Sequence, residues 1–295
     1  MAAINLIFLK RFQSIWEHPA NKNNQFQAIG RSIGWWLNNR NSSTPVEVEL
    51  CGYRLLLYSD AFQTRSIVYY TPFHDYDSMR FVQRYLRSGD NFIDIGANIG
   101  EYTLLACSII GDSGSVSAFE PVPKTVNRLK ENIDINQLSQ VKVYPIALGD
   151  TDSIVSFTLT HDAVSHITVL NDLPQANKIQ VPCHRLENVL EDKLYAMAKI
   201  DVEGGELSAI KGANKLLSQK NPPVLMLEIN GAFKRYGVTK KEILNYLSTF
   251  GYRSAIYKAD TNHLTFTEDV WGDVLFIAND YLDQVVDRIS TSDQL

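Results

Sequence analysis

The chain has 295 residues, of which 45% are hydrophobic, 21% are charged and 11% are aromatic. This composition is typical of an ordinary soluble globular protein, and it excludes disordered, collagen-like and coiled-coil chains. The 28 Lys and Arg residues stand against 33 Asp and Glu residues, which gives a formal net charge of −5. A general nucleic-acid-binding protein is therefore not expected, because binding to phosphates requires a basic face.

The cysteines and the apolar segments indicate the compartment. Cys51, Cys107 and Cys183 are odd in number and form no CxxC pair, so neither a disulfide framework nor a zinc knuckle is expected. The apolar run near the start, residues 4–9, is far shorter than the roughly 20 residues of a membrane-spanning helix. It also lacks the charge and cleavage pattern of a secretory signal. We therefore expect no transmembrane segment and a cytoplasmic protein.

The first forty residues are predicted to be helical, and the turn-rich segment 38–45 follows them. One face of the first helix carries apolar side chains at helical spacing, namely Ile4, Phe8, Phe12 and Ile15. We expect this stripe to pack against its own domain or against the second subunit of a homodimer. Membrane binding is not expected, because a short stripe with few cations binds bilayers weakly.

A β-hairpin is predicted at residues 46–58, where apolar and polar residues alternate on both sides of Cys51 and Gly52. Together with the helices before it, this hairpin forms an accessory region that we assign to residues 1–72. We expect the accessory region to cover or complete the substrate side of the domain that follows.

From residue 73 to residue 295, strand-like and helix-like segments alternate, which predicts one doubly wound, mostly parallel α/β domain with helical crossovers. Strands are predicted at 91–95, 115–119, 141–146, 153–159, 179–183, 198–202 and 224–229, and a terminal hairpin at 252–257 and 274–278. Helices are predicted at 78–86, 101–110, 124–136, 206–217 and 240–250.

The segment 91–100 (NFIDIGANIG) is an apolar strand that ends in Asp94 and passes through two glycines into a helix. Gly96 and Gly100 let the backbone turn sharply and let a ligand approach main-chain N–H groups. Doubly wound proteins bind their ligands at this edge of the sheet. A dinucleotide fingerprint would have glycine in place of Asn98. The Asp94 carboxylate would repel phosphates, and it would suit a ligand that carries an ammonium group.

Glu120 ends the next predicted strand, 26 residues after Asp94. A carboxylate at this point can accept hydrogen bonds from both hydroxyls of a ribose, as the acidic residue of nucleotide-binding βαβ units does. We expect Glu120 to bind a ribose and to contribute little to the stability of the protein without its ligand.

Two further carboxylates, Asp201 and Glu228, stand at the ends of predicted strands. Asp201 belongs to the segment KIDVEGGE, in which Glu206 is expected to serve only as a favourable charge in the first turn of a helix. Glu228 lies in the apolar strand VLMLEI, where a carboxylate is costly unless it is paired, hydrogen-bonded or metal-bound. Asp201 and Glu228 could share a substrate hydroxyl or a divalent cation, and a purely structural hydrogen bond is an equal alternative.

His184 and His166 are weaker candidates for a general base. Both lie in or beside the inserted strands that should overhang the site, although a lone histidine is more often structural than catalytic.

Five segments together resemble the FkbM-type S-adenosylmethionine-dependent methyltransferases, namely IDIGANIGEYTLLA, VSAFEPVPKTVNRLKENIDIN, VYPIALGD, AKIDVEGGELSAIKGA and VLMLEIN. The resemblance extends over roughly residues 73–278, in the order and spacing of the family. It implies a seven-stranded, Rossmann-like methyltransferase sheet. It also implies S-adenosylmethionine as the cofactor, which carries both the ammonium group and the ribose inferred above.

The resemblance further implies which residues hold the cofactor. The methionine and sugar portions would be surrounded by Asp94, Gly96, Asn98 and Gly100. The ribose would be bound by Glu120, and the adenine would lie against Ile146 and Ala147. This chain departs from the family at Glu187, where the family usually has aspartate.

The expected function is transfer of the methyl group of S-adenosylmethionine to an oxygen, the acceptor being a hydroxyl of a natural product, a sugar or a polysaccharide. Asp201 and Glu228 would form the reaction centre, and Mg²⁺ could be held there. One alternative is an NAD-dependent oxidoreductase, which Asn98 at a glycine position opposes. Another is a catalytically silent, cofactor-binding partner subunit. The loops 60–77 and 161–177 would select the acceptor.

Overall fold

An eight-stranded sheet forms the centre of the computed structural model, which describes residues 2–38, 44–60, 64–159, 166–168 and 177–291. For residues 2–9, 38, 166 and 177 the backbone alone is described. The strands are β1 (Val46–Leu50), β2 (Tyr53–Leu57), β3 (Asn91–Ile95), β4 (Ser115–Phe119), β5 (Val141–Tyr144), β6 (Ala147–Leu148), β7 (Ser153–Leu159), β8 (His166–Ile167), β9 (Asn177–His184), β10 (Met197–Ile200), β11 (Val224–Ile229), β12 (Tyr252–Lys258), β13 (His263–Phe266) and β14 (Gly272–Ala278).

The helices lie on both faces of this sheet and in the N-terminal region. They are α1 (Ala2–Glu17), α2 (Gln25–Asn38), α3 (Thr64–Tyr70), α4 (Tyr76–Tyr85), α5 (Glu101–Ile110), α6 (Pro123–Ile135), α7 (Leu186–Val189), α8 (Glu206–Lys211), α9 (Asn214–Ser218), α10 (Lys240–Thr249) and α11 (Leu282–Ser290). Short 3₁₀ helices occur at Pro19–Asn21, Ala232–Tyr236 and Asn279–Tyr281. Within the described residues, no helix is both long and apolar enough to cross a membrane.

The central sheet has the strand order β13-β12-β14-β11-β10-β3-β4-β5. Strands β11, β10, β3, β4 and β5 are parallel to one another, and β14 pairs antiparallel with both β11 and β12. The prediction of a doubly wound, mostly parallel α/β sheet is confirmed. The strand count was one too low, because the four-residue edge strand β13 extends the predicted hairpin. Its alternation of apolar and polar residues is too short to stand out in the sequence.

Both faces of the central sheet are buried, and alternate residues of a strand enter different cores. In β3, Phe92 belongs to the core that includes Phe81 of helix α4, whereas Ile93 belongs to the core beneath helix α10. This follows from the period of two residues in a strand. Asp94 therefore lies on the same side of the sheet as Phe92, the side that helix α4 covers. Its neighbour in β10, Lys199, lies on this side too. We call this side the α4 face.

Two predicted elements have different bounds in the structure. Strand β5 ends at Tyr144, and the chain continues into β6 of a separate four-stranded sheet, which also contains the inserted strands β7 and β9. The helix predicted at 206–217 is divided into α8 and α9 around Gly212. A Cβ atom at Gly212 would lie 2.1 Å from the carbonyl oxygen of Gly149. The helix breaks where another segment of backbone passes too close for a side chain.

The N-terminal region packs into the same hydrophobic core as the α4 face of the sheet. Ile15 of α1 and Trp35 of α2 are buried there, together with residues of the predicted hairpin, β1 and β2. Of the apolar stripe on α1, Phe12 is 48% exposed and stacks on Trp16. The side chains of Ile4 and Phe8 lie outside the described residues. A subunit interface on this helix stays a prediction.

Asn21 joins the N-terminal helices to helix α3. Its buried side-chain amide donates hydrogen bonds to the carbonyl oxygens of Ile15 at 2.9 Å and Tyr69 at 2.8 Å. We expect Asn21→Ala to lower the free energy of unfolding by about 1 to 3 kcal/mol, the cost of leaving a buried polar group without a partner. Chemical denaturation measures this loss, with Asn23→Ala, at an exposed position, as the control. Equal stabilities of the two variants would contradict the packing described for Asn21.

Candidate active site

The loop after β3 is held against the end of β10. The backbone N–H groups of Gly96 and Ala97 both donate to the carbonyl oxygen of Phe119 at 2.9 Å. Gly96 has a φ of +83°, and a Cβ atom there would lie only 1.9 Å from the carbonyl oxygen of Asp201. A side chain at residue 96 would therefore push the loop away from Asp201. The glycine brings the two predicted motifs, around Asp94 and around Asp201, into direct contact.

Asp94 lies at the base of this loop and is fully enclosed by protein. Its carboxylate accepts a hydrogen bond of 2.6 Å from the hydroxyl of Thr103 in α5. Burial raises the pKa of Asp94 to about 6, although the hydrogen bond from Thr103 and the nearby Lys199 lower it. A cationic group of a ligand at this point would favour the ionised form of Asp94.

Glu120 supports the same loop from the end of β4. One of its carboxylate oxygens accepts from the backbone N–H of Val122 at 2.9 Å, and the other from that of Asn98 at 3.1 Å. Burial raises the pKa of Glu120 to about 7 despite these two hydrogen bonds. These two hydrogen bonds, by which the buried carboxylate joins two loops, favour a contribution of Glu120 to the stability of the ligand-free protein, contrary to the expectation from the sequence.

The residues proposed for adenine lie beside this loop. Ile146 connects β5 to β6, and Ala147 begins β6 opposite Cys183 of β9. Ile146 and Ala147 line a cavity of about 20 Å³ together with Gly96, which is room for about one water molecule. The structure therefore brings these residues next to the β3 loop. A bound adenine would have to lie outside this small cavity.

Asp201, Glu203 and Glu228 form a group that we call the acid cluster. Each offers a carboxylate oxygen, and these three oxygens lie within 4.8 Å of one another. Burial, with the Asp201 carboxylate beside it, raises the pKa of Glu203 to about 7. Burial and Asp201 also raise the pKa of Glu228 well above its ordinary value. Such closely spaced carboxylates cannot all be charged unless a cation balances them.

The side chain of Lys199 provides a positive charge next to the acid cluster. Its ammonium lies 3.3 Å from carboxylate oxygens of both Asp201 and Asp273, and 4.6 Å from the ring centre of Tyr102. Burial alone would lower the pKa of Lys199, but the surrounding carboxylates, Asp273 first, hold it well above its ordinary value. Lys199 is therefore charged and joins Asp201 to Asp273.

A second group of polar residues continues this network. Tyr102 donates toward Asp75 at 3.4 Å and Asp273 at 3.5 Å. His74 contacts Glu101 through Nδ1 at 2.6 Å and Asp75 through Nε2 at 3.3 Å. Burial would lower the pKa of His74, but Glu101 and Asp75 raise it to about 9.

Sequence reasoning indicated Asp201 but missed the other participants of this network. The available indication in the sequence was Lys199, which lies in the short strand β10 among apolar residues. A buried charge requires a partner, so this lysine indicated that acidic residues lie nearby. The partners Asp75, Tyr102 and Asp273 come from three distant segments, and they meet only in the folded chain.

The two histidine candidates lie elsewhere. The His184 ring contacts Asp152 at 3.3 Å on the surface of the small sheet. Within the described residues, it has no hydrogen bond to the acid cluster. His166 pairs through its backbone with Thr158, and its side chain lies outside the described residues. Glu187 accepts hydrogen bonds from Arg185 and from the backbone N–H of Lys215, which gives it a structural role.

The model of the methyltransferase FkbM domain matches residues 94–254, more than half of the chain. The chain belongs to the FkbM methyltransferase family. The match begins at Asp94 and includes Glu120 and the acid cluster. The family model therefore spans the carboxylates around the β3 loop. Family membership favours the methyltransferase prediction over a nicotinamide-dependent oxidoreductase.

Two named proteins are similar to parts of this FkbM-family chain. Methyltransferase 1 of Beauveria bassiana is 26% identical over 146 residues, which cover 42% of this chain and 58% of that protein. The hexuronic acid methyltransferase AglP of Haloferax volcanii is 29% identical over 174 residues, which cover 58% of this chain and 67% of that protein. The chain thus spans 58% of the length of the fungal relative. A solved structure, a putative rRNA methylase from Clostridium thermocellum, has a TM-score of 0.43 and 12% identity, covering 68% of this chain and 90% of that one.

The hydrogen bonds of Glu120 generate a prediction about stability. In Glu120→Ala, the buried N–H groups of Asn98 and Val122 lose their acceptor, at a cost of about 1 to 3 kcal/mol for each group. We therefore expect the melting temperature of the ligand-free protein to fall, whereas Glu268→Ala, at an exposed position, should leave it unchanged. Thermal denaturation of both variants measures this. An unchanged melting temperature for Glu120→Ala would show that Glu120 does not support the loop.

Proposed function

We propose that the protein transfers the methyl group of S-adenosylmethionine to a hydroxyl oxygen of a natural product or sugar. The observation that carries this proposal is the contact between the β3 loop and the end of β10, because it places the expected cofactor site next to the acid cluster. The family match and the methyltransferase names of both relatives support it.

The donor set around the β3 loop suits S-adenosylmethionine. Each carboxylate oxygen of Glu120 uses one lone pair for a backbone N–H, and its remaining lone pairs could accept the two ribose hydroxyls. The buried Asp94 offers a negative charge for the cationic part of the cofactor. The same two carboxylates would repel a pyrophosphate, which opposes the dinucleotide alternative.

The cofactor supplies an activated methyl group on a sulfonium sulfur. The protein must position the acceptor hydroxyl in line with that methyl group and remove its proton. A new oxygen–carbon bond forms as the carbon–sulfur bond breaks, and the sulfur keeps the electron pair. We assign the hydroxyl proton to the carboxylate of Asp201, which is partly exposed and is the member of the acid cluster that Lys199 contacts.

Lys199 and Glu228 position the base. The Lys199 ammonium contacts the Asp201 carboxylate at 3.3 Å and holds it in place. Glu228 accepts a hydrogen bond of 2.7 Å from Asn230, which fixes its carboxyl group beside Asp201. Because burial favours the protonated form of Glu228, its neutral carboxyl group would add no negative charge beside Asp201.

The role of Asp201 can be tested with Asp201→Asn, which keeps the shape of the side chain and removes its charge. We expect methyl transfer to fall by at least about 100-fold, the lower end of a general-base contribution, while affinity for S-adenosylhomocysteine is unchanged. The rate of methyl transfer is measured with labelled methyl and a panel of glycosides and hydroxylated natural products. The affinity for S-adenosylhomocysteine is measured by isothermal titration. Asp192→Asn, at an exposed position, is the control. Near-normal turnover in Asp201→Asn would remove Asp201 from the mechanism.

The acid cluster could instead bind a divalent cation, since carboxylate oxygens are the ligands that Mg²⁺ prefers. A metal-dependent reaction predicts that a chelator abolishes methyl transfer, that Mg²⁺ restores it, and that S-adenosylhomocysteine binding does not change. A reaction that uses Asp201 as the base predicts full activity in excess chelator. Binding of S-adenosylhomocysteine without transfer to any acceptor would favour the silent partner subunit.

A further inference from the structure

A cavity of about 530 Å³ lies between helix α4 and strands β11, β12 and β14. This volume falls in the range of small-molecule sites in proteins. Its floor is apolar and includes Met226 and Leu275, and Pro19 of the N-terminal region lines its edge. Lys258, Asp260 and Trp271 also line it and are exposed, so the cavity opens to solvent.

The cavity and the acid cluster share one face of the sheet. Met226 in β11 lies beside Lys199 in β10 and opposite Leu275 in β14. Two residues further along β11, Glu228 lies opposite Asp273. Since residues two apart on a strand point to the same side, the cavity floor continues directly into Glu228 and Asp273.

Asp273 is the link between the cavity and the proposed base. Its carboxylate lines the cavity and contacts the Lys199 ammonium at 3.3 Å, and the same ammonium contacts Asp201 at 3.3 Å. A molecule in the cavity that contacts Asp273 is therefore separated from Asp201 by a single lysine side chain. The cavity can hold the acceptor if the acceptor hydroxyl extends past Lys199 to reach the Asp201 carboxylate.

The charges around the cavity are mainly negative. Four aspartates line it, namely Asp75, Asp77, Asp260 and Asp273, against a single lysine, Lys258. Lys258 is bound to Asp77 at 2.8 Å. Asp260 has no ion-pair or hydrogen-bond partner in the part of the chain that the structure describes. Asp75 is paired with His74, and Asp273 with Lys199. An anionic group in this cavity would therefore meet the unpaired carboxylate of Asp260 and no unpaired cation among the lining residues, whereas hydroxyl and ammonium groups would find carboxylate acceptors.

Four aromatic residues line the same cavity, and two of them, Trp271 and Tyr76, are not buried. Trp271 is 61% exposed. Its ring lies close to Gly231, because a Cβ atom on residue 231 would be 3.1 Å from the indole. Gly231 follows Glu228 and Asn230 in the loop after β11, so the indole stands beside the acid cluster. Tyr76 of helix α4 contributes the second ring. Flat, exposed aromatic faces next to hydrogen-bond acceptors suit the apolar face and the hydroxyl rim of a sugar ring.

We propose that this cavity is the acceptor site and that it selects an uncharged or amine-bearing sugar and disfavours a uronic acid. The inference rests on the proposed function, because an acceptor site has meaning only for a transferase. It goes beyond that function in naming the cavity and the charge of the acceptor.

The test uses three probes that share an aglycone and a pyranose ring and differ in charge: para-nitrophenyl β-glucoside, β-glucosaminide and β-glucuronide. Their affinities for the full chain, with S-adenosylhomocysteine present, can be measured by saturation-transfer NMR titration. We expect the glucoside and the glucosaminide to bind at least about 10-fold more tightly than the glucuronide, which corresponds to about 1.4 kcal/mol. Equal or tighter binding of the glucuronide, or no binding of any probe, would overturn the proposal.

Two variants locate the binding site. Trp271→Ala should weaken the binding of the glucoside by about 5- to 10-fold, whereas Trp36→Ala, which replaces an exposed tryptophan that does not line the cavity, should not. Asp260→Lys should improve the relative affinity for the glucuronide by at least about 5-fold, and Asp280→Lys, at another exposed aspartate, should not. Glucoside binding that is unaffected by Trp271→Ala would place the sugar elsewhere.

The titration of S-adenosylhomocysteine separates the two proposals. A protein that binds S-adenosylhomocysteine but shows none of the expected charge preference keeps the proposed function and loses the assignment of the cavity. A protein that fails to bind S-adenosylhomocysteine loses the proposed function, whatever sugars it binds.

Discussion

The ion pairs of Lys199 hold the centre of this structure together. An ammonium group buried among apolar strands would be very costly without partners, and Asp201 and Asp273 meet that requirement from β10 and β14. These contacts also balance part of the negative charge that Asp75, Glu203 and Glu228 bring to the same region. Without Lys199, the carboxylates on the α4 face would lose the cation that balances part of their negative charge.

Two loops depend on this arrangement. The loop after β3 can lie against Asp201 because Gly96 has no side chain, and Glu120 holds the other side of that loop through Asn98. The groups proposed for cofactor binding and those proposed for proton transfer thus lie at neighbouring strand ends. Rigid strands position both sets, as is usual for sites at the carboxyl ends of a doubly wound sheet.

The N-terminal region contributes to the same face. Ile15 and Trp35 share the core of the α4 face, and Pro19 reaches the edge of the large cavity. Asp77 of α4 binds both Lys258 and the backbone N–H of Ala259, which joins the cavity wall to the loop after β12. The elements that surround the cavity are therefore tied to elements remote in sequence, so that its shape depends on the whole chain.

The sequence alone determined the alternation of strands and helices, because apolar runs such as VLMLEI and the turn residues around Gly96 are local signals. It also indicated Asp94, Glu120, Asp201 and Glu228, since carboxylates at the ends of apolar strands need a reason to be there. Only the tertiary structure decided which charges meet. Lys199, Asp75, Tyr102 and Asp273 are far apart in the chain, and the cavity that Asp75 and Asp273 line is formed by surfaces from several segments. Contacts of this kind depend on strand order and on packing distances, which no local pattern of residues encodes.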